Sequence, residues 1–178
     1  MLLIFVVSGC GFQLRGELDI SEEISPLYLE RNSAFKLARE LKLILATNNI
    51  SVTDDPGRAS TQLTLLTEET GRRVLTVDGD GRAREYLLTY TINFLVNTGQ
   101  AVTEQSARQE MIESVSLSRS LLFDTEAVLA VTNESEILYK DMRRNAARLI
   151  LLRLQARVRA DTAPTELPAA KQPNSKTQ

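Results

Sequence analysis

From Arg84 to Val96 the chain alternates with a period of two. Tyr86, Leu88, Tyr90, Ile92, Phe94 and Val96 fall on one face, and Leu87, Thr89, Thr91, Asn93, Leu95 and Asn97 on the other. Successive strand side chains point to opposite sides, so this pattern predicts a strand with one core face and one largely polar face. Upstream, Pro26-Leu27-Tyr28-Leu29 reads as a short first strand. Ala34, Leu37, Ala38, Leu41 and Leu45 then follow a helical period, with Asn32 or Ser33 as the expected cap and Asn48-Asn49 as the stop. Asp54-Asp55-Pro56-Gly57 predicts a turn. The Thr/Leu-rich run 61–67 reads as a strand that 72–77 extends, and Asp78-Gly79-Asp80-Gly81 reverses it into the alternating strand. Asn97-Thr98-Gly99-Gln100 predicts a hairpin into a weakly alternating, polar strand over 101–116.

The last element is long. Residues 124–159 contain no Pro or Gly, and Leu138, Met142, Asn145, Ala146, Leu149, Leu152, Arg153 and Ala156 trace a helical stripe broadened by Ile150, Leu151, Leu154 and Val158. Asp124 is the expected N-cap. The element order predicts an α+β fold, two helices packed on one face of a four-stranded, mostly antiparallel sheet in a two-layer sandwich.

Composition narrows the class. The chain has 178 residues, a net charge of −2, one Cys and no His. One cysteine excludes an internal disulfide framework, so packing has to hold the fold. The near-neutral balance points to neither nucleic acid nor an anionic surface. The absence of His removes the usual general base and the commonest metal ligand, and Glu68-Glu69 and Glu134/Glu136 read as solvated charge, so no catalytic site, metal site or cofactor is expected. The basic run Lys140, Arg143, Arg144, Arg148, Arg153, Arg157 and Arg159 faces only Asp141. It reads either as a solvated helix end that complements the dipole or as a contact for an acidic wall or phosphates.

The first residues carry the strongest chemistry. An apolar run from Leu2 to Val7 leads into Ser8-Gly9-Cys10-Gly11. Small side chains before a lone cysteine suit a signal peptidase, and a thiol is what accepts a diacylglyceryl thioether. Cys10 is therefore the expected lipidation site and the membrane attachment. Gly11 stands where Gram-negative inner-membrane lipoproteins resemble one another in having Asp, which points to outer-membrane sorting. The expected division is a signal peptide over 1–9, truncated at its start, a lipidated lead over 10–25, one α+β domain over 26–160 and a disordered polar tail over 161–178.

Several segments together resemble the LptE family of lipopolysaccharide-assembly lipoproteins, also known as RlpB. They are Ser8-Gly9-Cys10-Gly11-Phe12-Gln13-Leu14-Arg15-Gly16, Arg84-Glu85-Tyr86 opening the cleanest strand, Asp124 before the last helix, and Tyr139-Lys140-Asp141-Met142-Arg143-Arg144-Asn145-Ala146-Ala147 within it. The resemblance implies a non-enzymatic lipoprotein in the inner leaflet of the outer membrane. It implies a plug, one-to-one, in the β-barrel translocon LptD, assisting barrel assembly and lipopolysaccharide delivery. Direct lipopolysaccharide binding is implied as well, for which Arg72, Arg73, Arg82 and Arg84 around the 78–81 reversal are the candidates. A solvated hairpin tip accounts for those arginines equally well. Where the family has a basic residue early in the last helix, this chain has Ala130, Val131, Thr132 and Asn133. The alternatives to the plug are a periplasm-facing scaffold of another outer-membrane machine and a lipid carrier with an internal pocket.

Overall fold

The structure, a computed structural model, describes residues 24–98, 112–123 and 128–162, with side chains of the last helix described over 131–161. Cys10, the hairpin expected at 97–100 beyond Thr98, the expected strand over 101–111, the Asp124 cap and the tail beyond Thr162 lie outside the described residues, while Asp161 and Thr162, expected in the tail, end the last helix. Among the described residues five strands form one sheet in the order β2-β1-β3-β4-β5. They are β1 (Leu27–Glu30), β2 (Val52–Thr53), β3 (Thr61–Val77), β4 (Ala83–Thr98) and β5 (Glu113–Leu122), with helices α1 (Phe35–Thr47) and α2 (Val128–Thr162). β1 runs parallel to both neighbours, and β3, β4 and β5 are antiparallel.

The expected α+β class holds, with one strand more than the four expected. β2 is only two residues long, too short to carry a period, and it forms because Leu27 N–H donates to the Ser51 carbonyl at 2.9 Å beside a Ser25–Ser51 hydroxyl contact of 2.6 Å. α1 buries Ala34, Leu37, Ala38, Leu41 and Leu45, the predicted stripe. Its start differs from expectation. Ala34 occupies the N-cap without a side-chain cap, because its N–H closes a turn on the Arg31 carbonyl at 2.8 Å while its methyl is buried. At the other end Asn48 Nδ2 donates to the Ile44 carbonyl at 2.8 Å, and Asn49 takes φ 58° as the stop requires.

β3 is a single strand, bent by register shifts between Leu65 and Thr67 and again near Val74. Its reversal is organised by Asp78, whose Oδ1 accepts from the N–H groups of Asp80 and Arg82 at 3.0 and 2.9 Å, with Gly81 at φ +78°. β4 follows its alternation: Leu88, Tyr90, Ile92, Phe94 and Val96 are buried. β5 ends six residues beyond the expected 101–116 boundary. Val115, Leu117 and Leu121 share the core face, but Arg119 interrupts their series and the intervening serines mask the strand.

On α2 the buried row is Met142, Ala146, Ile150, Leu154 and Val158, joined by Ala147 and Leu151, whereas Leu149, Leu152 and Ala156 of the expected stripe are exposed. Each four-residue step overshoots one turn by about 40°. The buried face therefore rotates along the helix, which a fixed stripe misses. α2 crosses β4 and β5 and also meets α1.

Both helices cover the face of the sheet that carries Leu88 to Val96. Among the described residues nothing covers the opposite face; its β4–β5 half is uncharged from Leu87 to Asn93, while Glu30, Glu69, Arg73 and Glu85 stand around that patch. By register, Ser114, Ser116, Ser118 and Ser120 of β5 stand beside Asn93, Thr91, Thr89 and Leu87 of β4, with Thr67 of β3 opposite Asn93. Hydrogen bonds cross it, Thr91 with Ser116 at 3.1 Å and Asn93 Nδ2 to Thr67 Oγ1 at 2.9 Å. At the free edge, Arg153 Nη1 donates to the Ser114 carbonyl at 2.7 Å and Arg119 Nη1 to the Ser118 carbonyl at 3.1 Å.

Candidate functional site

Where β3 passes between α1 and the first half of α2, the core stripe gives way to polar residues and leaves a groove of about 550 Å³. α1 supplies Lys36, Arg39 and Glu40, β3 supplies Thr70, and α2 supplies Thr132, Ser135, Glu136, Tyr139, Lys140 and Arg143. On α1 the burial of Leu37, Ala38 and Leu41 turns Lys36, Arg39 and Glu40 away from the core, towards α2.

Arg143 forms the floor. Its Nε donates to Glu68 Oε1 at 2.9 Å, and the Tyr90 hydroxyl donates to the same oxygen at 3.0 Å. The two charged side chains are only 12% and 13% exposed. Burial pushes the Tyr90 phenol above its ordinary range, the Glu68 charge pushes it further, and Arg143 opposes both. Tyr90 is therefore a neutral donor. The Arg143 guanidinium also lies 5.8 Å from the Tyr90 ring centre, so Glu68 and Tyr90 together hold it beneath the groove. Tyr139, its phenol also raised by burial, donates to the Gly71 carbonyl at 2.8 Å and pins α2 to β3.

The rim is cationic. Among the described residues Lys36, Arg39 and Lys140 enter no ion pair, whereas Arg153 and Arg157 both meet Glu113, at 3.8 and 3.6 Å, and Arg119 meets Asp141 at 3.6 Å. The basic run of α2 thus divides. Arg153 and Arg157 are spent on β5, while Lys140 and Arg143 face the groove.

The four arginines expected at the hairpin share its distal end but not one face. Arg72 is opposite Leu88 on the helix side, Arg73 is opposite Leu87 on the bare side, and Arg82 lies in the turn. Arg84 accepts through its carbonyl from Phe123 N–H at 2.8 Å. The Arg72 guanidinium lies 4.9 Å from the Tyr86 ring centre, and its charge also acts on the Tyr139 phenol. Arg72 is thus the one of the four that the structure brings towards the groove. Val74, Leu75, Val77 and Leu122 are exposed around them, Leu122 at 76%. Lys36 and Arg39 escaped the sequence reading, because their spacing marks only a polar helix face and the opposing helix is about 100 residues away in sequence.

No cluster of metal-ligating side chains occurs among the described residues, and no helix among them is long and apolar enough to cross a membrane. The family model for lipopolysaccharide assembly, LptE, matches residues 24–154, which takes in the whole sheet and most of α2. The chain belongs to the LptE family. Its relatives include the LPS-assembly lipoprotein LptE of Photorhabdus laumondii, 28% identical over 154 residues that cover 86% of this chain and 81% of that one. The LPS-assembly lipoprotein LptE of Pectobacterium atrosepticum is 25% identical over 155 residues, covering 86% and 80%. Among solved structures, the rare lipoprotein B of Shewanella oneidensis superposes with a TM-score of 0.64 at 26% identity, covering 76% of this chain and 96% of that one. Lipoprotein B of Nitrosomonas europaea has the same fold, with a TM-score of 0.64 at 24% identity and coverage of 84% and 94%. The α+β fold and the place in the family are thus those the sequence predicts.

Proposed function

We propose that this chain is a non-enzymatic lipoprotein of the outer membrane, attached through a lipid on Cys10, that seats its α+β domain in the lumen of the LptD β-barrel one-to-one and assists lipopolysaccharide delivery to the outer leaflet. The observation that carries the reading is the polar, uncharged β4–β5 patch on the outer sheet face. Its short, neutral hydroxyls and amides, Ser114, Ser116, Ser118, Thr89, Thr91 and Asn93, can lie against a polar wall without stranding charge away from water. The charges of that face, Glu30, Glu69, Arg73 and Glu85, flank this patch on β1, β3 and the distal end of β4.

The distal hairpin supports the lipopolysaccharide half of the reading. Arg72, Arg73, Arg82 and Arg84 stand among the exposed Val74, Leu75 and Val77. Guanidinium groups pair with phosphate oxygens through two parallel hydrogen bonds, and the apolar neighbours suit acyl chains. An amphiphile with anionic head groups fits both.

The test is detergent extraction of the tagged protein from its native membrane, followed by mass spectrometry of what elutes at matching stoichiometry. One large outer-membrane β-barrel at one-to-one is the expected result. Elution without a barrel would overturn the plug, and a different periplasmic partner would move the function to a scaffold.

A further inference from the structure

We infer that the outward face of the second half of α2 docks on an anionic phospholipid bilayer, before a barrel takes the domain. From Met142 to Ala160 the helix holds six arginines and no acidic residue. Arg143 is paired with Glu68, and Arg153 and Arg157 with Glu113. Arg144 and Arg148 are exposed and enter no ion pair among the described residues. They share their side of the helix with Leu149, Leu152 and Ala156, spaced three and four residues apart and exposed as well. Leu149 is 38% and Leu152 46% exposed, although Ile150, Leu151 and Leu154 beside them are buried. A helix face that carries leucines among unpaired arginines lies in the headgroup plane of an anionic membrane, its leucines at the acyl boundary and its arginines on phosphates. The net charge of −2 conceals this strip, because it averages over the whole chain.

The path of the chain brings a bilayer to this face. Leu27 of β1, Thr61 of β3 and Thr98 of β4 stand in register at one end of the sheet. The Thr98 hydroxyl donates to the Asp161 carboxylate, so α2 finishes at that same end. The described chain begins there with Ile24, and Cys10 lies fourteen residues further back, a tether of at most about 50 Å. From Arg144 to Asp161 the helix runs only about 26 Å, so a lipid on Cys10 holds the membrane within reach of the whole strip. A tethered contact also needs far less intrinsic affinity than a free one. The hairpin with its exposed Val74 and Val77 is at the opposite end of β3, so the two surfaces are separate. A fluid interface can cover a single convex helix face without a matching cleft, which a protein partner would have to supply.

The inference rests on the lipid anchor proposed above and makes no use of the barrel. The experiment reconstitutes the purified lipoprotein into vesicles of phosphatidylcholine alone or mixed with phosphatidylglycerol, both containing lipids with a quencher on the acyl chain. With Cys10 acylated, a thiol introduced by Leu152→Cys takes a fluorophore at one position, and Ser120→Cys on the outer sheet face is the control. The label at 152 is expected to be quenched on the phosphatidylglycerol vesicles and not on phosphatidylcholine, and the label at 120 on neither. Arg144→Gln with Arg148→Gln should lower the ratio of docked to undocked protein about 25-fold, a factor of about five for each cation near an anionic surface. Salt at 1 M, where screening acts within about 3 Å, should release the face as well. No quenching at 152 on phosphatidylglycerol would overturn the proposal, as would equal quenching on both vesicles, which would leave the face to a protein wall or to apolar contact alone. Quenching that survives both glutamine substitutions would overturn it too. Flotation with the phosphatidylcholine vesicles reports the anchor separately. Its loss would remove the anchor, while quenching at 152 on phosphatidylglycerol would still decide the docking.

Discussion

Arg143 on α2 and Glu68 on β3 are 2.9 Å apart, Nε to Oε1, and nearly the whole of both side chains lies out of water. The pair joins the helix to the sheet at the point where the core becomes the groove. Tyr90 donates to the same carboxylate oxygen, so one acceptor serves two elements.

Removing one member of this pair should cost far more than removing both. Glu68→Ala leaves the Arg143 charge buried without a counter-ion and should destabilise by about 3–5 kcal/mol. Glu68→Ala with Arg143→Met should recover much of that loss. Urea unfolding of Glu68→Ala, Arg143→Met and the double variant measures it, and additive losses would mean that the two residues act independently.

Alkaline pH should loosen the same junction. The Tyr90 phenol is raised in the folded state, first by burial and then by Glu68. The folded protein therefore holds its proton where the unfolded chain releases it, above about pH 10. The stability this contributes is fully present below that pH and falls as pH climbs through and beyond it. Tyr90→Phe should flatten the decline in melting temperature above about pH 10, at a cost of about 1 kcal/mol near neutrality from the lost hydrogen bond.

Gly71 should tolerate no side chain. A Cβ there would lie 2.6 Å from Thr89 Oγ1, on a β-branched side chain with little rotameric freedom. Gly71→Ala should destabilise by about 1–3 kcal/mol. Thr89→Ala in the same background should restore most of it, and denaturant midpoints would reveal the rescue. Tyr139→Phe, which only removes the hydrogen bond to the Gly71 carbonyl, should cost about 1 kcal/mol.

Element by element, the sequence was most readable where one periodicity dominates. The alternation of β4 and the stripe of α1 appear in the structure residue for residue, because each element meets the core with one fixed face. α2 was read less well, since its buried face rotates along a helix that meets both the sheet and α1, leaving Leu149 and Leu152 in water. β2 exists only through pairing with β1, and β5 hides its alternation behind Arg119. The hairpin arginines were visible because they are adjacent in sequence. The groove was not, because Lys36 and Lys140 become neighbours only when the helices pack.

Charge reversal at the hairpin should separate lipid recognition from stability. Arg82→Glu with Arg84→Glu changes side chains around an exposed turn, so the unfolding midpoint should move by no more than about 0.5 kcal/mol. Lipopolysaccharide binding by the purified protein should weaken by about tenfold or more, as expected when attraction to phosphate becomes repulsion. Unchanged binding in a surface-immobilised lipopolysaccharide assay would make the arginines a solvated tip.

The arginines that reach the carbonyls of Ser114 and Ser118 have a consequence for the protein's solitary life. An outermost strand with unclaimed backbone groups is a template on which another copy can grow. Here guanidinium groups occupy two of those positions, and at the far side of the sheet β2 offers only Val52 and Thr53. Neither margin is a good seed for strand-by-strand stacking. Two acceptors of the ten-residue border strand are thus taken by the protein's own side chains, which disfavours growth of a second copy on that margin and suits the proposed seating of one copy in a barrel.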